Sequence, residues 1–428
     1  MSIAFFWILI LLMAFGTPVI FALLLGPGLS LLLDGELRYV PALLARFYNG
    51  IDSFPLLAVP FFILAGEIMN AGGITTSIVR FAQSLVGHVR GGLAQVNVLS
   101  SMIFAGISGS AVADASALGK MLIPAMEREG YPRPFASAVT AAAAVIGPVI
   151  PPSGIMVLYG FVMNVSVGAL FAAGVVPGVI IGLGLMGTIR LLAKRYNLPA
   201  AKPRATWGER ATAFRGAWLA MLLPVILLGG MLSGVFTATE AACVAVAYAL
   251  FVTIFVTRNV RRRELFTIFK NTALQSGVIL LLVGAAVTLG WLVTVSGLAK
   301  GIADAMLLIT DDVSTLLFLV NVLLLIVGMF LDAGPAILIL GPVLSPVFVG
   351  LGVDPVHFAI IMCVNLTIGL ATPPMGLLLF VTASVAREKI ENIVRALLPF
   401  LAVEILVIFV ITYFPSLVLT LPRALGLM

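Results

Sequence analysis

Two cysteines and two histidines are all that 428 residues provide, and only 10% of the residues are charged. Cys243 and Cys363 both fall inside apolar runs, so the sequence builds neither a disulfide framework nor a thiolate metal cluster. His88 lies in a basic loop and His357 at the start of an apolar segment, which places no histidine as a general base within a span. The scarcity of charge excludes a water-soluble globule, because a chain that is 61% hydrophobic with a mean hydropathy of +1.20 cannot wet its surface. Nucleic acid is excluded as a partner despite a formal charge of +6: Lys and Arg come in short clusters between apolar runs, where they set membrane orientation. What remains is an all-α polytopic membrane protein whose surroundings are a lipid bilayer.

Apolar runs predict crossings over residues 3–33, 54–72, 134–165, 169–193, 216–234, 237–257, 271–295, 356–386 and 394–420. The first run starts without a basic n-region, so it reads as a retained span and not as a cleaved signal peptide. The loops Arg80 to Arg90, Arg128 to Arg133, Lys194 to Arg215, Arg258 to Lys270 and Arg387 to Arg395 gather most Lys and Arg on one side, which is therefore cytoplasmic. The N-terminus is then cytoplasmic and the C-terminus periplasmic. Gly73 to Gly87 and Gly297 to Ile309 are amphipathic, and either surface helices or ordinary loops fit them.

The stretch Asn97 to Glu129 is too long for one span: from Arg90 to Arg128 a straight helix would run on the order of 55 Å, against a hydrocarbon core of about 30 Å. Two glycines and two serines in GISGSAVAD give it a place to fold back, predicting a re-entrant hairpin with Asp114 at its tip. An internal repeat repeats this plan. VNVL at Val96 to Leu99 returns at Val320 to Leu323, 224 positions later, and IGPVIPPSG at Ile146 to Gly154 returns as IGLATPPMG at Ile368 to Gly376, 222 positions later. Pro177 and Pro399 share the second offset. The charge assignment gives the copies opposite orientations, hence an inverted repeat, with 216–234 as the odd helix. The second hairpin, Asn321 to Gly352, breaks at Gly334 and Pro335 beside Asp332 and is flanked by Asp311, Asp312 and Asp354, so it enters from outside. The two tips are expected to meet near mid-membrane.

Each copy also carries a double proline that interrupts a span, Pro148 to Gly154 and Leu370 to Gly376; prolines remove backbone donors and free carbonyl oxygens. Paired discontinuous helices at corresponding places in inverted repeats mark the ion and substrate sites of secondary transporters, where half-helix N-termini take an anion and carbonyl, carboxylate and hydroxyl oxygens coordinate Na⁺. One cation site is expected from Ser108, Gly109, Asp114 and the break Pro151 to Ser153; the other from Asp332, Gly334 and the break Thr372 to Pro374. Ser110, Asn365 and Thr367 are the candidate substrate contacts. A second reading stays open for both aspartates, as caps of the helices that follow them. Lys120 is expected to pair with Asp114, with reach toward an anion as the second reading, and Asn97 and Asn321 to bridge helices, with a direct ligand role as theirs. One further class is an intramembrane serine protease, since GISG at Gly106 to Gly109 fits a G-x-S-G nucleophile motif around Ser108; it lacks a histidine in reach and leaves the repeat unexplained.

Taken together, GISGSAVADASALG (Gly106 to Gly119), GPVIPPSG (Gly147 to Gly154), GMFLDAGPAILILGPVLSPV (Gly328 to Val347) and NLTIGLATPPMG (Asn365 to Gly376) resemble the large membrane subunit, of DctM type, of tripartite ATP-independent periplasmic (TRAP) transporters. The resemblance covers essentially the whole chain. It implies Na⁺-driven uptake of organic acids, such as C4-dicarboxylates, sialic acids or sugar acids, across a bacterial or archaeal inner membrane. It also implies a periplasmic substrate-binding protein, a small four-helix membrane subunit and an elevator mechanism, and no enzyme activity. A stand-alone Na⁺/dicarboxylate symporter is the alternative of the same general architecture. On this reading residues 1–92, 166–310 and 387–428 are scaffold with surface arms and linker, and 93–165 and 311–386 form the two halves of a transport domain.

Overall fold

Long apolar segments can satisfy their backbone groups in lipid only as helices or closed barrels, and among the described residues of this chain every regular element is helical. The computed structural model describes residues 4–199, 203–308, 310 and 312–428. Ile3 of the first expected span, residues 200–202 of the linker, Ile309 and the flanking Asp311 lie outside the described residues.

In chain order the helices are α1 (Ala4–Ala14), α2 (Val19–Leu33), α3 (Val40–Ile51), α4 (Ala58–Ala71), α5 (Ile74–Val86), α6 (Gly92–Ser108), α7 (Ala111–Arg128), α8 (Arg133–Ala144), α9 (Gly154–Val162) and α10 (Val167–Leu192). After the linker come α11 (Trp207–Leu232), α12 (Ala238–Phe251), α13 (Arg262–Ser296), α14 (Leu298–Leu307), α15 (Val313–Phe330), α16 (Ala333–Gly350), α17 (Pro355–Gly369), α18 (Leu377–Ala386), α19 (Ile390–Tyr413) and α20 (Ser416–Ala424). Eight of these segments are long and apolar enough to cross a membrane. α11 and α12 each start at a capping box, Thr206 with Glu209 and Thr237 with Glu240, which fixes where the two begin.

Three expectations need correction. The run at 3–33 is not one crossing: Gly16, at a φ of +79°, and Pro18 turn the chain, and α2 packs back on α1 where Gly26 lies against Phe5 and Leu9. A cytoplasmic N-terminus therefore no longer follows from that run. Between the first two crossings α3 forms, unexpected from the sequence, and packs on α13 through Gly50, which faces Gly284 and Val287. The last run ends at Tyr413, and α20 is a separate helix that packs on α10. Both amphipathic stretches, by contrast, are helices, α5 and α14.

The hairpins are present. α6 and α7 pack together across a turn at Gly109, which has a φ of +59°, a region that favours glycine. α15 and α16 meet at Leu331 and Asp332, in extended backbone. The predicted interruptions are present too, since α8 and α9 are separated by residues 145–153 and α17 and α18 by 370–376, each with a cis X–Pro bond at Pro151–Pro152 or Pro373–Pro374. α10 and α19 pack on one another and on α8 and α17, so the boundaries at 166 and 387 fall in the links between helices that pack together.

Candidate functional site

Ser110 starts the first site. Its extended backbone ends the turn, and its hydroxyl accepts from the Ala113 N–H at 3.4 Å, making Ser110 the cap of α7. Asp114 is therefore not the cap, which closes the capping reading for that residue. Its carboxylate is fully buried; Oδ1 accepts the hydroxyl of Ser108, and Oδ2 has no hydrogen-bond partner. Gly147 opens the room for it, because a Cβ there would sit 2.5 Å from Oδ2. Lys120 does not neutralise the charge: it is exposed and, six residues on, projects from a different side of α7. The expected Asp114–Lys120 pair is therefore not formed.

The break comes up against this tip. A Cβ on Gly109 would lie 2.5 Å from the Pro152 carbonyl oxygen, and one on Gly106 3.7 Å from that of Pro151. Among the described residues neither carbonyl accepts a backbone hydrogen bond, as expected where consecutive prolines remove donors. Ser153 is fully buried, donates to the Pro148 carbonyl and caps α9 by accepting from Met156 N–H. The turn thus carries a buried carboxylate that faces Gly147 and unpaired proline carbonyls that face Gly106 and Gly109.

The second tip is built differently. Asp332 does cap its helix, Oδ1 accepting from Ala333 N–H at 2.8 Å, and it stays open to the space between the tips. Gly369, just before the second break, lies backbone to backbone against Gly328 at the end of α15. Thr372 is buried and bonds the Ile368 carbonyl, whereas Pro374 is exposed; the carbonyls of Pro373 and Pro374 accept no backbone bond among the described residues.

Both tips line one cavity of about 650 Å³. Ser108, Gly109, Ser110, Asp332 and Gly334 all border it, with Pro148, Pro152, Leu370 and Leu377 from the breaks. Four helix starts face it, at Ala111, Gly154, Ala333 and Leu377. The rest of the wall comes from α4, with Glu67 and Asn70, where Gly66 packs against Ile107 and Ser108 of the first tip, and from α13, with Gln275. Among the described residues, no Lys, Arg or His side chain lines it. Asn365 and Thr367 do not line it: Asn365 is fully buried and donates to Asn321, which donates in turn to Thr412, and Thr367 bonds the Cys363 carbonyl. Asn97 bridges α6 to α8 through Thr140 at 2.7 Å, the helix-bridging role expected of it and of Asn321. Glu67 was missed from the sequence, although it is the one charged residue in the run 54–72, and an ionisable residue within a span is itself a functional signal.

The nucleophile reading of Ser108 ends here, since its hydroxyl is bonded to a carboxylate and His357 is engaged with the Ile411 carbonyl at 2.8 Å. In chain-wide comparison the family described as "Tripartite ATP-independent periplasmic transporter, DctM component" matches residues 6–417. The sialic acid TRAP transporter large permease protein SiaM of Vibrio cholerae is 40% identical over 88% of this chain and 88% of its own length. The C4-dicarboxylate TRAP transporter large permease protein DctM of Pseudomonas aeruginosa is 40% identical over 91% of each. Among solved structures, the YdaH transporter of Alcanivorax borkumensis aligns with a TM-score of 0.63 over 89% of each chain at 18% identity, a likeness of fold. Transporter components, not enzymes, are what this chain matches along its whole length, and it belongs to the DctM family of TRAP transporter large membrane subunits.

Proposed function

We propose that this chain is the Na⁺-coupled, substrate-translocating subunit of a transporter that imports an organic acid across the bacterial or archaeal inner membrane, with the basic loops cytoplasmic. The observation that carries the reading is the cavity itself: four helix N-termini face it and, among the described residues, no basic side chain lines it. Unpaired N–H groups and the positive dipole ends suit a carboxylate. The aspartates at the two tips need cations, and the unpartnered Asp114 oxygen and the bare proline carbonyls of the break that meets the same turn are the oxygen ligands that a small hard cation takes. Two Na⁺ sites follow, one from Ser108, Gly109, Asp114, Pro151 and Ser153, the other from Asp332, Gly334, Thr372 and Pro374, with Ser110 toward the substrate.

TRAP large subunits work with a small membrane subunit and a periplasmic substrate-binding protein, and the same partners are proposed here. The sequence offsets are read as an inverted repeat and the movement as an elevator. The body that moves comprises α6–α10 and α15–α19, because α10 and α19 pack on the broken helices, while α1–α4 and α11–α13 stay fixed. The cavity then lies on the boundary between the bodies, its tips on one and α4 and α13 on the other. Reconstitution with the partner proteins tests the coupling: uptake should require an inward Na⁺ gradient, and full transport on a proton gradient without Na⁺ would overturn it.

A further inference from the structure

The cavity is chemically two-sided. Helix N-termini of the tips and breaks suit one carboxylate; α4 and α13 add Glu67, Asn70 and Gln275, a carboxylate and two amides. Glu67 is half-buried on α4, and Asn70, one turn further along the same face, holds its carbonyl oxygen toward the Thr75 hydroxyl at 3.1 Å. Gln275 enters from α13. With no Lys, Arg or His in the lining among the described residues, nothing on this wall compensates a second anionic group. A carboxylate placed there would face the charge of Glu67 at short range in a poorly screened space. Hydroxyl groups fit the same wall, since each can donate to a carboxylate oxygen and accept from an amide N–H.

The volume agrees. At about 650 Å³ the cavity falls in the class that encloses drug-sized ligands, well beyond what a four-carbon diacid fills. Relatives at 40% identity are named for sialic acid and for C4-dicarboxylates alike, so overall identity does not choose between the classes.

We infer that this chain selects a polyhydroxylated monocarboxylate, a sugar acid, with Glu67 as the residue that accepts substrate hydroxyls and rejects a second carboxylate. The inference rests on the proposed organic-acid function and deepens it. The carboxylate of the substrate lies at the helix starts beside Ser110, where the proposed Na⁺ neutralises Asp332, and its hydroxyl-bearing chain runs toward α4 and α13, where no cation offsets Glu67.

The test uses the full-length chain purified with its small membrane subunit in lipid nanodiscs, with D-gluconate and succinate as probes, in Na⁺ and in choline. Wild type should bind gluconate at least about tenfold more tightly than succinate in Na⁺, because like charges brought together cost several kcal/mol. Glu67→Gln should narrow the gap, chiefly by strengthening succinate, and Gln275→Ala should weaken gluconate alone. Succinate binding as well as gluconate in the wild type, a gap unchanged by Glu67→Gln, or no binding of either probe in Na⁺ would each overturn the inference. Na⁺ alone should raise the melting temperature in the same samples. If it does so while the preference is absent, the selectivity fails and the Na⁺-coupled reading stands; if Na⁺ has no effect, that reading fails by itself.

Discussion

Ser108 donates its hydroxyl proton to Asp114 across the turn at Gly109, so one carboxylate oxygen is held by the hairpin's own first arm and the other is left bare beside Gly147. A buried carboxylate with one unfilled oxygen is costly to keep in a membrane interior unless a ligand completes it. The proposed Na⁺ reads as that ligand.

Asp114 and Asp332 should respond differently to replacement by Ala. Asp332 caps α16, so its loss should cost about 0.5–2 kcal/mol of stability as well as Na⁺-dependent uptake. Asp114 caps nothing, so Asp114→Ala should abolish uptake without that cap penalty. Thermal melts in choline, beside uptake assays in Na⁺, separate the effects; normal uptake by both variants would remove the aspartates from the ion sites.

Gly109→Ala should damage the first tip even though it adds a single methyl group. The left-handed backbone disfavours an L side chain by about 1–2 kcal/mol, and the new Cβ would collide with the Pro152 carbonyl. Weakened Na⁺ binding is the expected readout, whereas Gly130→Ala, also at positive φ but with nothing near it, should leave Na⁺ binding as it is.

Asn365→Ala should be a stability variant and not a transport variant. It strips a donor from the fully buried Asn321 and should cost about 1–3 kcal/mol, without touching the cavity. A double-mutant cycle with Asn321→Ala should show coupling between the two. A shift in apparent substrate affinity with an unchanged melting temperature would return Asn365 to the substrate site.

Movement of the tips against α13 is testable with thiols in a background lacking Cys243 and Cys363. Ser116, on the cavity side of α7, is a better reporter than the fully buried Ser153. A cysteine at Ser116 should change sides of accessibility to an impermeant reagent as Na⁺ and substrate vary, while one at Ser233, exposed at the end of α11, should not. Labelling of Ser116 from one side under every condition, with transport intact, would favour a local gate over an elevator.

Much of this was legible because it is written in local chemistry. The two Gly-rich and Pro-rich tips, the double prolines and the basic loops act within a few residues of themselves, so hairpins, breaks and spans followed from the chain. Belonging to the DctM family followed from the same motifs. Other features depend on which helix lies next to which. Nothing near Asn365 told that its amide would be taken by Asn321 and not by substrate. Lys120 is a different case: once one helix runs through both, its six-residue spacing already turns it away from Asp114. The fold-back of α1 on α2 was hidden inside one apolar run, because Gly16 and Pro18 are too few to interrupt hydropathy although they are enough to turn a backbone. The part of the cavity wall that α4 and α13 supply was decided by tertiary structure alone. Glu67 and Gln275 stand 208 positions apart, and only the packing of α4 with α13 turns a lone carboxylate and a lone amide into one surface facing the tips.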